Sequence, residues 1–201
     1  MIFVGVMISG CMSLGGQPSR AIEYYTLEYP PARFENYSAI AAGIRVERFT
    51  AVQEFQGNDM VFRPKPYVRS MYRYQRWKTS AADMVTDCVL RDIRDSKIFS
   101  SVLAYYDGGD ARFLLEGRVA EFMEIDEDKH SRASLVVYAK VSDLFANDGK
   151  KRIVLEKTYK MLEPFIKDRQ PHELAGAMSA AMEKLSRELI ADIYRVAKSV
   201  N

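Results

Sequence analysis

What this chain has little of narrows it first. Two cysteines, Cys11 and Cys88, stand in 201 residues, so no disulfide framework is available. The two histidines, His130 and His172, are the whole supply of imidazole, and neither lies beside a Ser or Cys in a spacing that marks a nucleophile and its base. There is no G-x-S-x-G elbow, no G-x-x-x-x-G-K-S/T phosphate loop and no H-E-x-x-H helix, so ATP chemistry and the common hydrolase signatures are excluded. Formal net charge is +2 at pH 7, far from the concentrated basic stripe of a nucleic-acid binder. No apolar run approaches the roughly 20 residues of a membrane-spanning helix. No Lys or Arg falls between Met1 and Cys11, so the basic start of an export signal is absent from a stretch that otherwise follows its pattern.

That stretch is the most informative part of the sequence. A short apolar run from Met1 to Met7 leads into Ile8-Ser9-Gly10-Cys11, which reads as a bacterial lipobox. A hydrophobic segment enters the export machinery, small residues precede the scissile bond, and the thiol is acylated before the leader is removed. The expected division is a signal peptide over 1–10, a lipidated tether over 11–20 and one domain over 21–201. Met12-Ser13-Leu14-Gly15-Gly16-Gln17-Pro18-Ser19 has the composition of a tether rather than of a core element. With Cys11 carrying lipid, Cys88 has no partner; it lies on the apolar stripe of a predicted helix, where a free thiol packs as a small hydrophobe.

The rest of the chain is 48% hydrophobic and 28% charged over its full length, suited to a single core. Ile22 to Tyr29 is a strand closed by Pro30-Pro31, and Ile44 to Phe49 alternates apolar and charged residues as a half-buried strand does. Met60 to Arg63 and Tyr67 to Tyr74 form a short extended pair that Pro64 and Pro66 confine to a sheet edge or loop. Thr79 or Ser80 caps a helix with Ala81, Met84, Val85, Cys88, Val89 and Ile93 on one side. Phe99 to Tyr105 returns as a strand, and Asp107-Gly108-Gly109-Asp110 reads as a hairpin turn into Phe113 to Ile125. Asp126 to Lys129 and Asn147 to Lys150 turn the chain between three long strands of a meander. From Pro171 the apolar residues Leu174, Met178, Ala181, Leu185, Leu189, Ile193 and Val196 recur at helical steps. The expected fold is α+β, a mainly antiparallel sheet of about five to six strands covered by two amphipathic helices, the second C-terminal and long.

Two constellations carry chemical interest. Glu124, Asp126, Glu127, Asp128 and His130 are rich in cation ligands but lack the glycine and distal Glu of a calcium loop, so a solvated hairpin tip is expected and no metal or other cofactor. Tyr67, Tyr72, Tyr74 and Trp77 alternate with Arg69, Arg73, Arg76 and Lys78; Tyr, Trp and Arg dominate protein interfaces, while the same residues also serve strand-to-helix packing or stacking on single-stranded nucleic acid.

The lipobox ending at Cys11, the strand Tyr24-Tyr25-Thr26-Leu27, the segment Val61-Phe62-Arg63 leading to Tyr67, and Tyr74-Gln75-Arg76-Trp77 directly before a helix together resemble the ABC-type transport auxiliary lipoproteins. These are the PqiC-like partners of MCE lipid transport systems. The resemblance implies a non-catalytic periplasmic domain held at the outer membrane by lipid on Cys11. It would dock with an MCE protein of a system that moves phospholipids or other hydrophobic molecules across the envelope. Tyr67, Tyr72, Tyr74 and Trp77 are the candidate partner contacts, edge strands permit a homo-oligomer, and no nucleic acid is expected. Two other readings stay open: a carrier holding a hydrophobic ligand in a groove lined by Met178, Met182 and Leu185, and an assembly lipoprotein of another envelope machine.

Overall fold

The computed structural model describes residues 20–32, 34, 37–127, 130–146, 152–166 and 171–200. In chain order its elements are β1 (Glu23–Tyr25), β2 (Ile40–Val46), β3 (Thr50–Ala51), a 3-10 turn (Gln53–Phe55), β4 (Asp59–Arg63), β5 (Ser70–Trp77), α1 (Ala81–Ser96), β6 (Phe99–Ala104), β7 (Phe113–Asp126), β8 (His130–Asp143), β9 (Arg152–Ile166) and α2 (Pro171–Val200). Cys11, with the leader and tether expected around it, lies outside the described residues, as do Asp128, Lys129 and the turn at 147–150.

Alternation sets the frame. Leu135, Val137, Ala139 and Val141 on β8 point to one side and are fully buried, as a two-residue period with one covered face requires. β8 pairs antiparallel with β7 on one side and β9 on the other, the meander expected from the sequence. The opposite edge of β7 is shared end to end: β2 pairs with residues 113–115, β3 with 118–119 and β4 with 123–125, all parallel to β7. The sheet then forks, with β6 outside β2 at one end and β5 followed by β1 outside β4 at the other. Nine strands are thus joined in one mixed sheet among the described residues, larger and less antiparallel than the expected five or six.

The reason lies in the crossovers. α1 carries the chain from β5 back to β6, and a helical crossover permits the parallel pairing of β2 with β6. The hairpin turn expected at Asp107–Asp110 instead lies in a connection, residues 105–112, that crosses β2 and enters β7 running in the same direction as β6. Arg45 of β2 holds this crossing, donating to the carbonyls of Ala104 at 3.0 Å, Asp107 at 2.9 Å and Gly109 at 2.7 Å. Gly43 makes room for it: a Cβ there would lie 2.4 Å from Ser101 Oγ and 3.6 Å from Ala111 Cα. Pro64 and Pro66 fall in the loop between β4 and β5 rather than in a strand, so β4 sits inside the sheet and not at its edge.

α1 starts where Ser80 caps it, its Oγ accepting from the Asp83 N–H at 3.2 Å, and ends at Lys97 in a left-handed conformation. α2 packs on β8 and β9 and touches α1. Leu174, Met178, Ala181, Met182, Leu185 and Leu189 are buried completely beneath it, each apolar side chain contributing about 1.5–3 kcal/mol. Asp192 fixes the helix to β9, accepting from Lys157 Nζ at 2.7 Å and Tyr159 Oη at 2.9 Å. Burial opposes its charge, yet those two donors and Arg195 hold its carboxyl below the ordinary value. At the helix C-terminus, Arg112 donates to both oxygens of Asp143, at 3.1 and 3.0 Å, and to the Val200 carbonyl at 2.6 Å. Cys88 is buried, as expected, and burial raises its thiol to about 11.

Candidate docking surface

The aromatic segment from Tyr67 to Trp77 is divided by the structure into parts with different tasks. Its backbone carries an irregularity that decides which way each side chain points. Asp59 pairs with Arg76 but Val61 with Met71, so β5 bulges between those positions. Arg76 fills the bulge from within the chain, its guanidinium donating to the Tyr72 carbonyl and, at 2.8 Å, to the Gln75 carbonyl, while Nε meets Asp59 at 3.0 Å. Arg76 thereby gives donors to two carbonyls of the bulged segment.

Trp77 ends up in the core. It is 1% exposed and packs edge-on against Phe122 with ring centroids 5.0 Å apart. Its indole Nε1 finds no acceptor among the described residues. The sequence groups Trp77 with the partner-contact aromatics; its burial places it instead with the residues that hold β5 on β7. Tyr72 is half-buried, stacked obliquely on Phe62 at 5.1 Å, and donates to Glu124 at 2.6 Å. Of the four only Tyr67 is exposed; Tyr74, like Tyr72, is half-buried. Tyr74 is flanked by Arg20 at 5.6 Å and Arg73 at 5.3 Å from its ring centroid, in cation–π range. Tyr67 projects from the β4–β5 loop, fully exposed, with a backbone φ of 67°, a left-handed conformation that a bulky residue rarely adopts.

Glu124 departs from expectation. It is not on a solvated tip but buried beside β5, accepting from Tyr72 and, at 2.8 Å, from Ser131 Oγ, which also lies 2.9 Å from Asp126. A hydroxyl has one proton to donate, so the two carboxyl groups compete for it. Burial, reinforced by the nearby Asp126, raises the Glu124 carboxyl above the ordinary carboxylate value, with the Tyr72 and Ser131 hydrogen bonds working the other way. A cavity of about 430 Å³ opens here, walled by Phe62, Pro64, Met71, Tyr72, Arg73, Glu124 and Asp126. Among the described residues no group of three or more His, Cys, Asp or Glu side chains is arranged to hold a metal ion. His130 lies exposed at the start of β8 and His172 pairs with Glu173 at the start of α2. Among the described residues no helix is long and apolar enough to cross a membrane.

Three of the four stretches behind the family resemblance converge; the lipobox lies outside the described residues. Tyr24 and Tyr25 lie in β1, Val61 to Arg63 in β4 and Tyr74 to Trp77 in β5, and these strands are adjacent in the order β1, β5, β4. Periodicity alone does not reveal this, because β1 joins β5 in parallel across 44 intervening residues whose path the local pattern leaves open. Sequence reading missed the exposed apolar residues Tyr24 on β1, Met71 on β5 and Ile22 just before β1. It also missed the buried role of Glu124, which the register shift between Val119 and Glu121 hides from the alternation along β7.

Among solved structures, a Xanthomonas campestris protein of family DUF330 superimposes with a TM-score of 0.78 at 18% identity, covering 88% of this chain and 97% of that one. The fold is that of the DUF330 protein. A hypothetical protein from Chlamydia trachomatis follows the same path more loosely, with a TM-score of 0.54 at 10% identity over 80% of this chain and 99% of its own. No family model matches the sequence, and no curated protein matches it.

Proposed function

We propose that this protein is a non-catalytic envelope lipoprotein, acylated at Cys11 and held at the periplasmic face of the outer membrane. There it docks with an MCE-type ABC transport system that moves phospholipids or other hydrophobic molecules. The observation that carries this reading is the convergence of Tyr24-Tyr25, Val61-Phe62-Arg63 and Tyr74-Gln75-Arg76-Trp77 on the adjacent strands β1, β4 and β5. The segments that motivate the resemblance thus build one region of the fold rather than scattering over it. Tyr67 and Tyr74 are the aromatic side chains this region offers to a partner. The filled interface beneath α2 speaks against the carrier alternative, since Met178, Met182 and Leu185 are fully buried there.

The test is a pull-down of the full-length protein from the membrane fraction of its native cell, with intact-mass analysis of the N-terminus and a Cys11→Ser control. Triacylated Cys11 recovered together with an MCE protein is the expected result. Unmodified Met1 in the soluble fraction would overturn anchor, compartment and transport role together. Acylated Cys11 with the proteins of another envelope machine would move the lipoprotein to that machine.

A further inference from the structure

We propose that the β1–β5 edge and the Tyr67 loop form a surface that seats the domain directly on an anionic lipid bilayer. The proposal rests on the reading of Cys11 as a membrane anchor and adds a second, protein-made contact to it. The direction of the chain is the first argument. β1 runs parallel to β5 with Glu23 opposite Gln75, so residues before Glu23 travel back along β5 toward Met71 and the loop that carries Tyr67. Arg20, the first described residue, already lies against Tyr74. Arg20 follows Cys11 by nine residues, a reach of at most about 30 Å. An acylated Cys11 therefore holds this end of the molecule within that reach of the lipid.

The surface at that end has the matching chemistry. Tyr67 is fully exposed, Met71 and Tyr24 are each 56% exposed and Ile22 is 50% exposed. Single apolar residues on a surface need no explanation, but these four gather on two adjacent strands and the loop beside them. Arg20, Lys65 and Arg73 are interspersed with them, and neither Lys65 nor Arg73 has a carboxylate within ion-pair distance among the described residues. Tyr at the level of the headgroups, with Lys and Arg reaching anionic phosphates, is the composition of an interfacial contact. Tyr67 adds a geometric point: its left-handed backbone turns a large aromatic outward with nothing of its own fold to rest on.

The experiment uses the full chain as Cys11→Ser, which cannot be acylated, with phosphatidylethanolamine vesicles made with and without phosphatidylglycerol. Co-flotation with the anionic vesicles is expected. Arg20→Ala and Arg73→Ala should each weaken partitioning about fivefold, and Tyr67→Ser with Met71→Ser should reduce it further. A Tyr67→Trp version made together with Trp77→Phe, so that position 67 carries the sole tryptophan, should shift its emission to the blue only when anionic vesicles are added. Four results overturn the proposal: no flotation, flotation indifferent to phosphatidylglycerol, flotation unchanged in the Tyr67→Ser, Met71→Ser variant, or emission of that Tyr67→Trp, Trp77→Phe protein already blue without vesicles. The last assigns the surface to the chain's own residues or to a protein. Failure here leaves the anchor standing if native Cys11 is acylated, and an unacylated native Cys11 with lipid-dependent flotation leaves the surface standing alone.

Discussion

Replacing Trp77 with alanine separates a core residue from an interface residue more sharply than any other change in this chain. The side chain is 1% exposed against Phe122, and truncating a buried tryptophan costs about 3–5 kcal/mol. One term works against that loss. The indole Nε1 is buried without an acceptor among the described residues, and an unsatisfied donor costs about 1–3 kcal/mol, which the truncation returns. The net expectation is therefore the lower part of the range, about 3 kcal/mol. With a urea slope of about 2–3 kcal/mol/M, the unfolding midpoint falls by about 1–1.5 M. Far-UV circular dichroism is the appropriate signal, because Trp77 is the only tryptophan and its fluorescence disappears with it. Trp77→Phe keeps most of the ring contact and removes the orphaned donor, so it should stay within about 1 kcal/mol of the parent. An unchanged midpoint for Trp77→Ala would refute the core assignment and return Trp77 to the docking surface. A Trp77→Phe variant as damaged as Trp77→Ala would refute the argument from the unpaired indole.

Gly117→Ala should destabilise by about 1–3 kcal/mol by overpacking, since its Cβ would lie 2.3 Å from Phe49 Cε2; a neutral result in thermal melts would mean that Phe49 does not lie on β7. Tyr67→Gly should raise stability by about 1 kcal/mol, because glycine takes a φ of 67° without the steric penalty; a lowered urea midpoint would show that the ring has a packing role. Glu124 is raised from its ordinary 4.5 chiefly by burial, so the native state holds a proton that the unfolded state has released, and stability falls as pH rises from 4.5 through the folded value. Glu124→Gln should flatten that decline in urea midpoints measured from acid to neutral pH. A variant with the same pH dependence as the parent contradicts the assignment.

How much was legible follows from how local each signal is. α2 was read correctly from Leu174 to Val196 because a helix repeats its own pattern, and the β7–β8–β9 meander was read because each long strand pairs with its sequence neighbour. The loop at 107–110 misled for the same reason. Asp-Gly-Gly-Asp is good turn chemistry wherever the chain goes next, and the crossing over β2 is dictated by Arg45, more than 60 residues upstream of Gly109, and by Gly43, where a Cβ would collide with Ser101. The candidate surface divides similarly. Tyr67 is fully exposed, while Tyr72 and Tyr74 are half-buried. Trp77 faces inward because the β5 bulge, secured by Arg76, changes which side chains point to the core, a change that strict alternation cannot announce. Glu124 reads as part of an acidic turn, yet it stands within reach of Tyr72 only because β4 brings β5 alongside β7.

The choice between a carrier and a docking module turns on what it takes to open the body. A groove under α2 requires separating the helix from β8 and β9 along Leu174, Met178, Ala181, Met182, Leu185 and Leu189, all fully buried. The five larger side chains among these contribute about 1.5–3 kcal/mol each, so exposing them costs on the order of 10 kcal/mol, the scale of a whole domain's stability. Breaking the Asp192 contacts to Lys157 and Tyr159, and the Arg112 bond to the helix end, adds to it. A hydrophobic ligand entering there would have to offset that loss before it gained any affinity. Holding a rigid surface toward a membrane or a partner requires no such opening. On that surface Tyr67 is presented fully exposed, with no movement of α2 required.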